Sequence, residues 1–170
     1  VKDDLSSRKE MNRTPLIIAH RGASAEAPEN TLAAFQRAID AGADGVEFDV
    51  QLAKDGVPVV IHDAALRRTA GRTDNVADLT STELGTTDAG SWFNRRYPRG
   101  ARTEFEHETV PTLEEVLARH ENQTGPIYIE LKCDETNYKP LASVVCDMIR
   151  NSPLLPRMIV KSFRLGAVAE

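Results

Sequence analysis

The sequence predicts an α/β fold built on a mainly parallel sheet. Three short apolar runs rich in β-branched residues lie between residues 16 and 63, and each one ends beside polar side chains. These ends are His20-Arg21, Glu47-Phe48-Asp49 and His62-Asp63. Short apolar runs bounded by turn residues are typical of buried strands. Segments with helical spacing alternate with them, and repeated strand–helix units predict parallel strands joined by helical crossovers.

The first strand–helix–strand unit begins at the strand predicted for residues 16–19. Asn30 is the expected N-cap of the helix that follows, and apolar residues recur at helical spacing as far as Ile39. Gly42 stands where a C-terminal glycine of a helix belongs. Residues 45–52 then form the second predicted strand.

A turn sequence follows the second strand. Lys54-Asp55-Gly56 is a turn signal, and residues 57–61 resume as strand. Locally this predicts a β-hairpin, whereas an all-parallel sheet would exclude an antiparallel neighbour. Residues 57–61 are therefore either a hairpin arm or a further parallel strand.

The strand–helix rhythm stops at residues 69–109 and then returns. The intervening segment is rich in Thr, Asp, Gly and Arg and is predicted to hold one short helix near residues 80–84. The later predicted elements are a helix opened by the capping box Thr112/Glu115 and running to about residue 121, a strand at 127–131, a helix at 138–150 and a strand at 159–163. Four or five strands predict either a small open sheet or the front portion of an eight-stranded barrel, which typically needs about 250 residues.

Composition excludes several classes of protein. The 170 residues are 41% hydrophobic and 28% charged, which fits one globular domain rather than a disordered chain. The net charge of −5 offers no basic face for nucleic acid. No stretch approaches 18 consecutive apolar residues, so no transmembrane segment is predicted. Residues 1–13 are polar and are expected to be a leader or a cloning remnant. These features favour a cytoplasmic protein, with a secreted or periplasmic one after signal removal as the alternative.

Three carboxylates are candidate metal ligands. Glu47 and Asp49 are two residues apart on one predicted strand, so both side chains leave the same face of the sheet. Glu130 lies near the end of another strand. Carboxylates without a suitable histidine–cysteine set favour a hard cation, Mg²⁺ or Ca²⁺, over zinc. The alternative is a solvated strand end with surface acids.

Two histidines and two cations complete the predicted site. His20 and His62 each adjoin a charged residue at a strand end, and imidazoles that titrate near neutrality can divide the acid and base roles at a phosphodiester. Arg21 offers a planar fork for two phosphate oxygens, and Lys132 offers a point charge. His107 and His120 are expected to be structural or exposed. The pattern predicts an acid/base-plus-metal site for a phosphate ester.

Motifs in a fixed order between residues 16 and 163 carry a family resemblance. They are His20-Arg21-Gly22, Pro28-Glu29-Asn30-Thr31, Glu47-Phe48-Asp49-Val50-Gln51-Leu52, Lys54-Asp55-Gly56-Val57-Pro58-Val59-Val60-Ile61-His62-Asp63, Pro111-Thr112-Leu113-Glu114-Glu115-Val116-Leu117, Ile129-Glu130-Leu131-Lys132 and Ser162-Phe163. Together they closely resemble the glycerophosphodiester phosphodiesterase family. Any one of them alone would be a weak signal, but the ordered set is highly specific.

The resemblance implies both a fold and an activity. The fold is a TIM barrel of the phosphodiesterase type. The activity is divalent-cation-dependent hydrolysis of glycerophosphodiesters to glycerol 3-phosphate and an alcohol, a reaction of lipid and glycerol metabolism. The implied roles are acid and base for His20 and His62, phosphate binding for Arg21 and Lys132, and metal ligation for Glu47, Asp49 and Glu130. The alternatives are a related phosphodiesterase acting on lysophospholipids or other lipid phosphodiesters, and an inactive fragment.

The resemblance also implies a domain organisation. Residues 14–170 correspond to the N-terminal portion of the barrel, with residues 69–110 as the family's insertion. The aromatic residues of the insertion (Trp92, Phe93 and Tyr97) are expected either to form its own small core or to contact substrate. Because the family's barrel continues through further strands, we expect a homo-oligomer or a completing partner.

Overall fold

One sheet of four parallel strands and one antiparallel strand organises the protein. The structure, a computed structural model, describes residues 15–169, so the leader predicted for residues 1–13 lies outside the described residues. The strands are β1 Ile18–His20, β2 Gly45–Leu52, β3 Pro58–Val60, β4 Ile127–Leu131 and β5 Met158–Lys161. Parallel strands run in the order β1-β2-β4-β5, and β3 pairs with β2 in the antiparallel direction. This is the α/β arrangement that the sequence predicts.

Six α-helices accompany the sheet within residues 15–169. They are α1 Leu32–Asp40, α2 Arg67–Ala70, α3 Ser81–Leu84, α4 Ser91–Arg96, α5 Leu113–Arg119 and α6 Tyr138–Arg150. Helices α1, α5 and α6 each lie between two parallel strands in the chain and cover one face of the sheet. No helix within residues 15–169 is both long enough and apolar enough to cross a membrane.

The two faces of the sheet differ because side chains alternate along each strand. On β2, Val46, Phe48 and Val50 are buried against the helices, in the same core as Phe35 of α1. On β4, Ile127, Ile129 and Leu131 take the same side and pack with residues of α5 and α6. The helix-covered face is therefore entirely apolar at these positions, and Glu47, Asp49 and Glu130 are left for the opposite face.

Residues 57–61, for which the sequence allowed two assignments, form a hairpin arm. β3 returns along the end of β2, with Val60 opposite Val50 and Pro58 opposite Leu52. The backbone amide of Ile61 donates to the carbonyl of Asp49 at 2.9 Å. The hairpin thus brings the chain back beside the carboxyl end of the sheet, where His62 follows directly.

Residues 69–110, the predicted insertion, are folded rather than an open loop. The predicted short helix is confirmed as α3, which begins after the capping box of Thr80 and Glu83. Helices α2 and α4 and the turns around them were not predicted, because they are too short to show a clear period. Phe93 is buried edge-to-face against Phe105 at 5.6 Å, in a small core that also contains Ala27 and Ala34 from the α1 region, whereas Tyr97 is exposed.

Several boundaries and one cap differ from the sequence-based assignment. β1 and β5 are shifted by one or two residues, and α5 ends at Arg119 instead of near residue 121. The assignment of Asn30 as the N-cap of α1 is wrong. The cap is Thr31, whose side chain accepts a hydrogen bond from the amide of Ala34. Asn30 has a positive φ of 58° and directs its side chain to the sheet, so it is unavailable for capping.

Gly22 gives a test of how tightly the loop after β1 is packed. Its φ is +75°, and a Cβ built there would lie 2.6 Å from the carbonyl carbon of Ala34 in α1. We expect Gly22→Ala to lower the free energy of unfolding by about 1 kcal/mol through backbone strain and by a further ~1–3 kcal/mol through overpacking. Urea denaturation measures both terms together.

Gly42→Ala is the matched control. Gly42 has nearly the same φ, +74°, but a Cβ there would meet nothing within 4 Å. In this variant the free energy of unfolding should therefore fall only by the amount that comes from backbone strain. Equal losses in the two variants would contradict the close packing of Gly22 against α1.

Candidate active site

Three buried acids meet at the carboxyl end of the sheet. Ligand atoms of Glu47, Asp49 and Glu130 lie within 4.8 Å of one another, and all three residues are buried. Asp49 and Glu130 are register partners on adjacent strands β2 and β4, and Glu47 is two residues before Asp49 on the same face. The parallel register therefore creates the cluster that the sequence predicts.

Three cations compensate the three negative charges. Lys132 Nζ lies 3.2 Å from Asp49 Oδ1 and also pairs with Glu130. Lys161 Nζ, at the end of β5, lies 2.9 Å from a carboxylate oxygen of each glutamate in the cluster. Arg21 Nε lies 3.1 Å from Asp49 Oδ2. Each cation comes from the end of a different parallel strand, so the cluster ties three strand ends to β2.

The donor atoms of this cluster fit a divalent cation. Glu47 Oε1 and Asp49 Oδ1 are buried oxygens that lie within ion-pair distance of a lysine but receive no hydrogen bond of acceptable geometry. Oxygen-only ligand sets of this kind suit Mg²⁺ or Ca²⁺. Glu47, Asp49 and Glu130 would hold the ion, and the flexible Lys161 side chain, 43% exposed, would have to yield its place between the two glutamates.

Opposing effects act on the ionisation of the cluster. Burial raises the pKa of Glu130, but hydrogen bonds from Lys132 and Lys161 outweigh burial and hold its pKa below the ordinary value. Burial likewise lowers the pKa of Lys161, but its close contacts with the negatively charged Glu130 and Glu47 outweigh burial and raise it. Glu130 and Lys161 are therefore both charged at neutral pH.

His20 and Arg21 sit on the rim of the acid cluster. His20 Nε2 is 3.8 Å from Glu47 Oε2, and its side chain is 64% exposed. Arg21 has a positive φ of 58°, and its amide hydrogen points at Glu47, with the amide nitrogen 2.8 Å from the carbonyl oxygen and 3.3 Å from Oε2. The turn after β1 thus presents an accessible imidazole and a guanidinium to the same carboxylates.

The loop before α1 supplies two further polar side chains. Asn30 Nδ2 donates to Asp49 Oδ2 at 2.9 Å and fixes the orientation of that carboxylate. Glu29 Oε1 accepts from Arg21 NH1 at 3.0 Å. Burial raises the pKa of Glu29, but hydrogen bonds and charge from Arg68 and Arg21 lower it overall. Glu29 is therefore an anion, and it binds Arg21 through NH1 while Asp49 contacts Nε.

His62 joins the site through a different set of contacts. Its Nδ1 lies 2.6 Å from Asp63 Oδ1, and Arg68 Nε donates to Asp63 Oδ2 at 2.6 Å. Within residues 15–169, His62 makes no ion pair with the three clustered acids. Contacts through Asp63, Arg68, Glu29 and Arg21 link it to Asp49.

Most of the predicted site residues lie together. Glu47, Asp49, Glu130, Arg21, Lys132 and His20 share one cluster, while His62 stands beside it. Of the other histidines, His120 is buried with Nδ1 2.8 Å from the Val116 carbonyl, and His107 is exposed, as expected.

The sequence analysis predicted no part in the site for several residues that contact it, one of which, Asn30, was expected to be a helix cap. These residues are Glu29, Asn30, Asp63, Arg68 and Lys161. Lys161 carries the same signal as His20 and Lys132, a polar residue that closes an apolar strand. Arg68 has no comparable local signal, because its partners lie 5 and 39 residues away in the chain.

The fold and the site together place the protein in a class. It is a partial parallel barrel with a candidate divalent-cation site, formed by buried acids at the carboxyl ends of its strands. A sequence model of the Glycerophosphoryl diester phosphodiesterase family matches residues 20–166. The chain therefore belongs to this family of phosphoric diester hydrolases.

Individual relatives agree with this assignment. A glycerophosphodiester phosphodiesterase of Caldanaerobacter subterraneus subsp. tengcongensis is 40% identical over 148 residues, which cover 87% of this chain and 58% of the relative. A solved Oleispira antarctica phosphodiesterase in complex with the product sn-glycerol-3-phosphate superposes with a TM-score of 0.81 at 34% identity, over 91% of this chain and 60% of that one. The glycerophosphodiester phosphodiesterase of Agrobacterium tumefaciens gives 0.76 and 36% with the same coverage. The chain thus spans about 60% of the length of these relatives.

Lys161 gives a test of the cation site that needs no turnover. We expect Lys161→Met to destabilise the metal-free protein by about 1–2 kcal/mol, since two buried carboxylates lose a partly exposed counterion. Mg²⁺ or Ca²⁺ should then raise the melting temperature more in the variant than in the original protein, because the ammonium group no longer competes for Glu47 and Glu130. Thermal melts with and without the ion measure this.

Lys54→Met is the matched control for this experiment. Lys54 is exposed in the β2–β3 turn, and its loss should change neither the metal-free melting temperature nor the ion-induced rise. An equal ion-induced rise in Lys161→Met and in the original protein would contradict a shared site for the ammonium group and the ion.

Proposed function

We propose that the protein hydrolyses glycerophosphodiesters to glycerol 3-phosphate and an alcohol, with a divalent cation, Mg²⁺ or Ca²⁺, and two histidines as acid and base. The observation that carries this proposal is the meeting of three buried carboxylates with His20, Arg21 and Lys132 at one end of the sheet. The sn-glycerol-3-phosphate held by the Oleispira antarctica relative supports the choice of product.

Phosphate binding falls to Arg21 and Lys132. Their nitrogens lie 3.1 and 3.2 Å from the two oxygens of Asp49, so both cations converge on the place where a phosphate beside Asp49 would sit. Arg21 presents a planar fork that suits two phosphate oxygens. A divalent cation held by Glu47, Asp49 and Glu130 supplies Lewis-acid polarisation of a phosphate oxygen.

Proton transfer falls to the two histidines. The attacking oxygen, from water or from the neighbouring glycerol hydroxyl, gives its proton to one imidazole as its bond to phosphorus forms. The bond from phosphorus to the alcohol oxygen breaks, and the other imidazole protonates that oxygen. Both side chains are open to a ligand, since 64% of His20 and 30% of His62 is exposed.

We also propose that the active protein has both edges of this sheet covered. Among residues 15–169, β1 and β5 each pair with one strand only, and large apolar side chains are exposed beside them. Phe163 is 92% exposed, and Leu16 and Ile17 are exposed before β1. The relatives are longer than this chain, which supports cover by further strands of the same polypeptide, by a second copy or by a partner.

Replacement of either histidine tests the assigned roles. We expect His20→Ala and His62→Ala, each in the full-length protein, to lower kcat on glycerophosphocholine by about 10²–10⁴, because each removes one proton-transfer group. His107→Ala, an exposed histidine of the insertion, should leave kcat unchanged. Near-normal turnover in a folded His20 or His62 variant would rule out the role of that residue.

Removal of the cation tests the metal requirement. We expect a chelator to abolish hydrolysis by the full-length protein and an excess of Mg²⁺ or Ca²⁺ to restore it, because the proposed reaction needs the cation to polarise a phosphate oxygen. Initial rates before and after chelation measure this. Full activity in chelator would remove the cation from the proposal.

A further inference from the structure

A continuous chain of charged hydrogen bonds connects His62 to Arg21. Asp63 Oδ1 lies 2.6 Å from His62 Nδ1, and Asp63 Oδ2 accepts from Arg68 Nε at 2.6 Å. The two terminal nitrogens of Arg68 donate to Glu29 at 2.8 and 2.7 Å. Glu29 in turn accepts from Arg21 at 3.0 Å. The chain thus joins a predicted acid/base residue to a predicted phosphate-binding residue.

Arg68 is the residue that fixes the geometry of this series of hydrogen bonds. Its guanidinium uses Nε on Asp63 and both terminal nitrogens on Glu29, and its Cζ lies 5.7 Å from the centroid of the Trp92 ring. A lysine could not make these three directed bonds at once, because it offers a single point of charge. Arg68 belongs to α2, directly before the predicted insertion, and Trp92 belongs to α4 within it, so the insertion supports the guanidinium that orients the two carboxylates.

The chemistry of Asp63 fixes the tautomer of His62. Burial raises the pKa of Asp63, but hydrogen bonds from Arg68 and His62 lower it overall, so this group is a carboxylate that can only accept. A neutral imidazole facing it must carry its proton on Nδ1. The other ring nitrogen, Nε2, is then free to take a proton from an attacking oxygen.

We propose that Asp63 and Arg68 are positioning residues that hold His62 in its Nδ1-protonated tautomer and fix the plane of its ring. This inference rests on the proposed function, in which His62 transfers a proton. It also gives Trp92 of the predicted insertion a part in the site, through its contact with Arg68. Arg68 is 42% exposed, and exposed ion pairs contribute little to stability, so the contacts act mainly on orientation.

Asp63→Asn tests the role of Asp63, because Arg68 determines the orientation of the new amide group. Arg68 Nε needs an acceptor, so the amide must turn its oxygen to Arg68 and its NH₂ group to His62. His62 Nδ1 must then accept, and the ring proton moves to Nε2. We expect kcat in the full-length protein to fall about 10²–10⁴-fold with little change in KM, as for a histidine held in the wrong tautomer.

Removal of Arg68 in the same protein should undo part of this effect. In Asp63→Asn/Arg68→Met the amide is free to turn its oxygen back to Nδ1–H, so the double variant should turn over at least ~10-fold faster than Asp63→Asn alone. Additive losses, or a double variant that is as slow as or slower than Asp63→Asn, would overturn the proposal. Arg72→Met is the matched control, since Arg72 makes a comparable exposed pair with Asp74 in the same segment, and it should change nothing.

The ¹⁵N chemical shifts of the His62 ring separate this inference from the proposed function. At about pH 8, where an ordinary imidazole is neutral, they should show the proton on Nδ1 in the original protein, on Nε2 in Asp63→Asn and on Nδ1 again in the double variant. This pattern is read without any substrate, so it holds or fails even if the protein hydrolyses no glycerophosphodiester. A proton that stays on Nδ1 in Asp63→Asn would overturn the inference.

Discussion

The structure depends on the compensation of three carboxylates that are buried at one end of a parallel sheet. Glu47, Asp49 and Glu130 would repel one another in an apolar setting, and the cost of burying unpaired charge is several kcal/mol for each group. Three cations at the ends of β1, β4 and β5 offset this cost: Arg21, Lys132 and Lys161. Each strand must therefore end where its cation can reach the acids, so the charge pattern and the strand register constrain each other.

The sheet is apolar on one face and charged on the other, because side chains alternate along each strand. The helices cover Val46, Phe48 and Val50, and this burial drives folding. The same alternation leaves the acids on the opposite face, where a complete barrel would enclose them. Stability and the candidate cation site thus use different faces of the same strand, and Glu47, Asp49 and Glu130 lie outside the helix-covered core.

The hairpin and the insertion extend the site beyond the parallel sheet. The β3 arm returns to the level of Asp49 and delivers His62 and Asp63 there. Helix α2 follows the hairpin in the chain. Its Arg68 connects Asp63 after the hairpin to Glu29 in the loop before α1. Loops that follow strands supply function in barrel folds, and here two of these loops are joined by paired charges as well as by the apolar packing of Ala27 against Phe93 and Phe105.

The sequence by itself determined the strands, the three longer helices and the acid cluster. Alternation along residues 45–52 placed Glu47 and Asp49 on one face, and the positions of polar residues at strand ends located Glu130, His20, Arg21 and Lys132. Both kinds of signal are local and periodic, so a single chain reveals them. The ordered motifs then indicated the family, which the comparisons establish.

Only the tertiary structure decided how these pieces face one another. The register of β2 against β4 sets Asp49 opposite Glu130, and the β2–β3 pairing settles the hairpin that the sequence left open. Asn30 reads locally as a helix cap, but Asp49 competes for its side chain and Thr31 caps the helix instead. Arg68 is bound to a carboxylate 39 residues away. Contacts between residues so distant in the chain depend on the packing of whole elements, and no local pattern of residue types records them.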